Sequence, residues 1–418
     1  MGKVLDAAER LWTGRSVLDQ EPWLTFLGLE AITDGVAFVA SFCNVVAFAT
    51  EEGAVVVDTG SPLTGSASAA AVRAWLEEQG HGPRVSTIVL THGHVDHVMG
   101  TSAFESEGRA RVIGHRALPE RFDRYRLTRG YNAAINTRQF RLPGLEWPRD
   151  YRYPDVTYER ALSLSVGGLR FELSHDRGET DDHTWVWVPE RRALCTGDLF
   201  IWASPNCGNP QKVQRYPREW AVALRKMAAL EPEYLFPGHG PPIVGAERVR
   251  RALDETAQLL ETIVEQTLAW MNEGAPLDAV VQRVKVPEHL LERPYLRPVY
   301  DEPEFVIRNL WRLYGGWWDG DPSELKPAPR RALAEELADL CGGAARMMDR
   351  ARELSELGEH RLACHLAETA ARAAPDDEGL RAARAAVYEA RAKVETSLMA
   401  KSAYRAAAKE RPGRGFDD

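Results

Sequence analysis

At 418 residues the chain is longer than one hydrophobic core usually organises, so two domains are expected. Its 44% hydrophobic and 27% charged residues are those of an ordinary globular protein, and no run of about 18 apolar residues is present to cross a membrane. A net charge of −9 without a long basic run argues against nucleic acid or a phospholipid surface as partner, and five scattered cysteines with no C-x-x-C pair argue against a disulfide framework or a thiolate zinc site.

The N-terminus, MGKVLDAAERLW, reads as the start of a helix. It lacks the basic end and apolar core of a signal peptide, so the expected compartment is the cytoplasm. Residues 24–60 hold short β-rich runs, VAFVASFCNVVAFA and AVVVDTGSP, split by a turn at Gly53. SASAAAVRAWLEEQG predicts a helix that stops at Gly80, and STIVLTH a short buried strand. Strand, helix, strand in that order implies a layered α/β architecture. Residues 101–150 read as helices and loops over one end of the sheet. LSLSVGGLRFELS and TWVWVPERRALCTGD predict further strands, the second a hairpin turning at PERR, and EYLFPGHGPP a last strand with a Pro/Gly loop.

Beyond residue 245 the pattern becomes helical. Val249, Leu253, Ala257, Leu260, Val264 and Leu268 mark one long amphipathic helix. A Pro-rich stretch covers 275–330, and short helical segments from 331 onward resemble a tetratricopeptide-like hairpin array. The expected division is therefore a catalytic domain at 1–245, a linking helix and irregular segment at 246–330, a helical domain at 331–410 and a disordered tail at 411–418. Twelve tryptophans suit core and interface packing, with a few available to line an apolar pocket.

The run Thr91-His92-Gly93-His94-Val95-Asp96-His97 carries the chemistry. It directly follows a buried strand, so alternating side chains can converge on a point. His92 and His94 can reach one metal ion, and Asp96 and His97 a neighbouring one. Imidazole and carboxylate suit zinc, which keeps an open position for water in catalytic sites.

THGHVDH preceded by VVVDTGS resembles the metallo-β-lactamase superfamily, which implies an αβ/βα sandwich with two metals at one edge. By that resemblance Asp58 is the structural aspartate beneath the metal loop, Asp198 of Thr196-Gly197-Asp198 bridges the metals, and His239 of Phe236-Pro237-Gly238-His239-Gly240 is the last ligand. Glu179 falls where the family has a histidine. A glutamate there is similar to the alkylsulfatase branch, with His183 and His175 as rivals for the position. The implied assignment is His92, His94 and Glu179 on the first metal, Asp96, His97 and His239 on the second, and Asp198 between them.

The likeness to alkylsulfatases extends to ERPYLRPVYDEPEFVIRNLWRLYGGWWDGDPSEL and to the helical segments after it, which resemble that branch's dimerisation domain. Typical members carry a further sterol-carrier-like domain, before which this sequence stops. Three other points differ or stand open. The bridging residue is an aspartate, Asn206 matches an asparagine of the family, and the branch's histidine and arginine for sulfate are not reproduced. Tyr131, Asn136, Arg138 and Gln139 on an expected lid helix, with Lys212 and Arg215, are candidates to replace them, since arginine forks onto sulfate or phosphate oxygens. Trp202 is a candidate apolar wall.

The resulting expectation is a dinuclear zinc hydrolase in which two ions about 3.5–4 Å apart share a hydroxide that cleaves an organic ester. Asp96 and Asp198 are its expected catalytic carboxylates. An alkyl or aryl sulfate is the first choice of substrate, with a phosphoester, lactone or thioester as the alternative. A diiron or mixed-metal redox protein is the reading from another class. The apolar stripe at 246–270 and the short helices beyond it predict a homodimer through the C-terminal region.

Overall fold

The computed structural model describes residues 2–14 and 27–410, so the expected tail at 411–418 lies outside the described residues. The first of two compact units comprises 1–132, 147–275 and 279–316. Within it, one sheet holds β1 (Gly28–Thr33), β2 (Val36–Ala40), β3 (Val45–Phe48), β4 (Ala54–Val57), β5 (Val85–Val89), β6 (Arg111–His115) and β7 (Val156–Tyr158), in sequence order. The other holds β8 (Ala161–Val166), β9 (Leu169–His175), β10 (Thr184–Val188), β11 (Ala193–Ile201), β12 (Tyr234–His239) and β13 (Ile243–Val244), in reverse order. Strands β1 to β4 pair antiparallel. Strands β4 to β7 pair parallel, as connections through the helix Gly65–Glu78 and the helical turns after His94 require.

The composition of the strands explains the layering. β2, β3 and β4 are buried at every position, as strands covered on both faces must be. Phe38, Phe48, Val57, Val89, Phe171, Val186 and Phe236 fill the space between the sheets. On the outer side of the first sheet, Val39, Val56, Ile88 and Leu90 meet Val72, Trp75 and Leu76 of the helix Gly65–Glu78, and Phe122 of the helix Leu118–Leu127. On the outer side of the second, Leu194, Leu199 and Leu235 meet Trp220 and Leu224 of the helix Pro217–Ala228, and Leu253 and Leu260 of the helix Ala246–Asn272. This is the αβ/βα sandwich. Each fully buried side chain of this size contributes about 1.5–3 kcal/mol of transfer free energy.

The helix from 246 buries Val249, Leu253, Ala257, Leu260 and Val264, the stripe expected of it. It packs within the first unit, as do residues 279–316, whereas the sequence reading placed 246–330 as a link. The expectation of only helices and loops over 101–150 is corrected by β6. RVIGH has four buried residues because β5 and β7 flank it, a tertiary effect that a five-residue run among arginines does not reveal.

The second unit comprises 133–146, 276–278 and 317–418. Its helices Arg330–Leu340, Ala344–Glu356, His360–Ala373, Glu378–Val394 and Leu398–Lys409 follow one another as an array. Met347, Met348, Ala351, Ala363, Ala367, Ala370 and Val387 form its core, the alanines permitting close helix approach. On Arg330–Leu340, Ala334 and Ala338 are buried while Leu333, Leu337 and Leu340 stand exposed on another face. Among the described residues no helix is long and apolar enough to cross a membrane.

Candidate metal centre

The chain leaves β5 at Val89 and enters the His-rich loop over Asp58, which closes β4. Asp58 adopts a left-handed backbone, φ +58°. A non-glycine residue holds that conformation only where its surroundings demand it. Here Asp58 Oδ1 accepts the Thr91 amide at 2.7 Å and Oδ2 accepts the Thr91 hydroxyl at 2.8 Å. The same Oδ2 lies 2.7 Å from His97 Nδ1. Asp58 thereby fixes both ends of the loop and turns His97 Nε2 inward, the usual job of a carboxylate behind a metal-binding imidazole.

Three groups of donors result among the described residues, each with ligand atoms within 4.8 Å of one another: His92, His94, Glu179 and Asp198 form the first, Asp96, His97 and His239 the second, and Cys43, Asp58 and His97 the third, which shares His97 with the second. In the first, Glu179 Oε2 lies 3.6 Å from His92 Nε2 and 3.4 Å from His94 Nδ1. In the second, Asp96 Oδ2 lies 3.8 Å from His97 Nε2 and 3.4 Å from His239 Nε2. Asp198 reaches both: its Oδ1 is 3.3 Å from His97 Nε2, and its Oδ2 is 3.4 Å from His239 Nε2 and 3.8 Å from His92 Nε2. β11 carries Asp198 into this position through a left-handed Gly197 and an irregular register against β12.

The donors fit a pair of cations. His97 Nε2, Glu179 Oε2 and Asp198 Oδ1 are buried and face the cluster with no hydrogen-bond partner among the described residues. Three buried polar atoms left so would be costly without a charge to meet them. Burial, then the neighbouring imidazoles His97 and His94, hold His92 well below its ordinary pKa, so it is the neutral ligand form. Burial alone would raise Asp198, but His239 and His97 keep it ionised, well below the usual carboxylate range. His94 and Asp96 are one-fifth exposed while His92, His97 and Glu179 are buried, so the centre opens at one edge.

A further layer of residues holds the ligands. Asn206 and Arg215 both donate to Glu179 Oε1, which leaves Oε2 for the cluster. Asp182 Oδ2 accepts the amide of Gly93 at 2.9 Å, and its Oδ1 is 2.7 Å from Nε of buried Arg121. His239 Nδ1 meets the Phe42 carbonyl, and Asn44 donates to the carbonyls of Pro237 and Gly240 on either side of that histidine.

The rivals for Glu179 point elsewhere. His183 Nε2 sits 3.1 Å from the Thr196 carbonyl and its ring stacks on His92, and His175 Nδ1 donates to the His183 carbonyl. Trp202 is buried, donates its indole N–H to the Pro241 carbonyl and packs against Trp12 and Tyr295, and the cavity it lines with Leu5, Trp12, Ile243 and Arg248 includes none of the donors of the cluster. Asn206 donates its side-chain amide to Glu179 Oε1, and its own Oδ1 is buried. Lys212 lies over the Trp147 ring, 6.0 Å from its centroid, in the field of Asp96 and Glu179. Burial, then Arg215, pushes its ammonium down to about 7. Tyr131 is exposed on the first unit. Asn136, Arg138 and Gln139 belong to the second, where Arg138 pairs with Glu410 at 3.7 Å. The sequence reading missed Asp182 and Arg121. It also missed Tyr300, whose hydroxyl burial and the carboxylates of Glu179 and Asp96 push upward in pKa. No spacing signal marks any of them.

Comparison with known proteins agrees with this picture. Residues 39–239 match the metallo-β-lactamase superfamily, and residues 277–413 match the alkyl sulfatase dimerisation family. A linear primary-alkylsulfatase from Pseudomonas sp. is 28% identical over 78% of this chain and 66% of its own length. An (R)-specific secondary-alkylsulfatase from Pseudomonas sp. is 24% identical over 83% of this chain and 56% of its own. The chain thus spans less than two thirds of the length of these curated relatives. The solved structure of a stereoselective inverting sec-alkylsulfatase from Pseudomonas sp. superposes with a TM-score of 0.81 at 21% identity, covering 91% of this chain and 65% of that one.

Proposed function

We propose, for a chain that belongs to the alkylsulfatase branch of the metallo-β-lactamase superfamily, that it hydrolyses an organic sulfate ester at a dinuclear zinc centre. The observation that carries this reading is Asp198, whose two oxygens lie one toward His97 and the other toward His239 and His92. His92, His94 and Glu179 would hold one ion, Asp96, His97 and His239 the other, with Asp198 shared. When bound, such a pair supplies activated water at neutral pH and polarises the ester. The residues of the chain do the rest. Asp58 and Asp182 orient the loop, Glu179 and Asp198 supply negative charge where cations gather, and the edge at His94 and Asp96 admits substrate. Lys212, in the field of Asp96 and Glu179, would be protonated when an anionic sulfate binds and would meet its charge.

The test is a panel of alkyl sulfate, aryl sulfate, phosphoester, lactone and thioester, with metal content measured on the same sample. Sulfate hydrolysis with two zinc ions per chain is expected, with activated aryl sulfates turning over faster than simple alkyl sulfates because an aryl leaving group needs little protonation. Lys212→Met should raise KM for the sulfate several-fold. Turnover of a lactone or thioester with none of any sulfate would overturn the assignment, and coloured protein containing iron would favour a redox centre.

We also propose a homodimer through the helical unit. Its alkyl sulfatase dimerisation match supports this, as does the leucine row on Arg330–Leu340, which one copy leaves in water. Changing Leu333, Leu337 and Leu340 together to Asp should leave a species near 46.7 kDa in light scattering, where the unaltered chain gives twice that mass. An unaltered chain that scatters as a monomer at micromolar concentration would refute the dimer.

A further inference from the structure

The residues that hold Glu179 do not stand alone. Asn206 and Arg215 lie on the loop between β11 and the helix Pro217–Ala228, and this loop is tied at several points to residues 297–312. Ser204 donates its amide to the Arg297 carbonyl at 2.9 Å. The Gly208 amide donates to Asp301 Oδ2, and Gly208 lies so close to Phe305 and Val306 that a Cβ there would overlap their backbone atoms. Asn309, on the helix Pro303–Gly315, is the central tie. Its Nδ2 donates to the Arg215 carbonyl at 3.0 Å, and its Oδ1 accepts from Gln214 Nε2 at 2.9 Å and from the Arg215 amide at 3.4 Å. Arg312 closes the group by donating to Gln214 Oε1 at 3.1 Å.

We propose that Asn309 is a positioning residue for the first metal, acting through Arg215 on Glu179. This rests on the dinuclear reading above and goes beyond it. The chain of contacts is direct. Asn309 fixes the backbone of Arg215 on both its amide and its carbonyl. The Arg215 guanidinium, buried, reaches Glu179 Oε1 and the Asn206 carbonyl. Glu179 then has one oxygen committed to the protein and one presented to His92 and His94. A carboxylate held so need not be ordered when a cation binds, which is how outer contacts strengthen a metal site. In the second group the bracing contacts run elsewhere, His97 resting on Asp58 and His239 on the Phe42 carbonyl.

The consequence is that the first metal site is completed from outside the superfamily module. Asn309 lies in the stretch matched by the dimerisation family, 277–413, and not in the stretch matched by the catalytic one, 39–239. The segment that leads into the helical unit therefore takes part in building the metal centre.

The experiment is a cobalt(II) titration of the full metal-free chain, followed in the visible spectrum and by competition with a chelating dye. It compares the parent with Asn309→Leu, Arg215→Met and Arg215→Lys. Two binding steps are expected for the parent. Asn309→Leu and Arg215→Met should weaken one step by about tenfold or more and leave the other within twofold, the size found when outer-shell partners of a metal ligand are lost. Arg215→Lys should fall between, since it keeps the charge and loses the fork. Parent-like binding by Asn309→Leu would overturn the proposal, even if Arg215→Met were impaired. Equal weakening of both steps, with a lower melting temperature of the metal-free chain, would also overturn it, because that marks a general packing role. Neither readout uses ester hydrolysis, so a chain that failed every substrate could still pass this test.

Discussion

Asp198→Ala is expected to lower turnover by roughly a thousandfold or more while the chain stays folded. Asp198 belongs to the first group of donors and also reaches His97 and His239 of the second. Its loss therefore weakens both groups at once, and several kcal/mol of charge stabilisation go with them. The fold should survive because the carboxylate contributes no core contact, whereas Leu194, Leu199 and Phe200 on the same strand remain in place. Elemental analysis should find fewer than two metals per chain, and circular dichroism should match the parent. Two full equivalents of metal with normal turnover would mean that the centre lies elsewhere.

Asp182→Ala should cost more stability than any change among the metal-binding side chains. Asp182 and Arg121 are both buried and paired at 2.7 Å. Removing one member of such a pair strands the other charge, at a cost of about 3–5 kcal/mol. The lower end applies, because Asp181 also meets the Arg121 guanidinium. The same change removes the acceptor of the Gly93 amide, between His92 and His94. Replacing the pair together, Arg121→Met with Asp182→Leu, separates these effects. Denaturant melts should show most of the stability restored, and metal titration should show the affinity still reduced. Restoration of both would mean that Asp182 serves the fold alone.

Much of this centre is legible in the sequence because its chemistry is contiguous. His92, His94, Asp96 and His97 sit in one loop, and a loop after a buried strand has few other reasons to carry them. His239 is legible for a related reason, since Gly and Pro on either side fix a tight turn. Glu179 required counting back from a strand, and the structure does bring it to His92 and His94. What stayed hidden are partnerships between residues remote in sequence. Asp182 with Arg121 and Arg215 with Asn309 are contacts between loops and helices whose own periodicity is unremarked. A lone arginine or asparagine reads as surface until the fold buries it. Trp202 was legible only as an aromatic close after β11; its partners Trp12 and Tyr295 are remote in sequence. The long helix from 246 was legible as a helix, but the surface that buries its stripe is the helix Pro217–Ala228, which no local pattern identifies.

Gly238 lies on β12 beside Asp198, and a Cβ there would overlap its Oδ1. The two positions are neighbours across parallel strands, Gly197 being in register with Pro237. Each therefore sets the room available to the other. Any side chain at 238 displaces the aspartate, and a carboxylate longer by one methylene at 198 needs another path or a shifted strand. Stability changes from substitutions at 198 and 238 are therefore expected to be non-additive, each position setting the space open to the other.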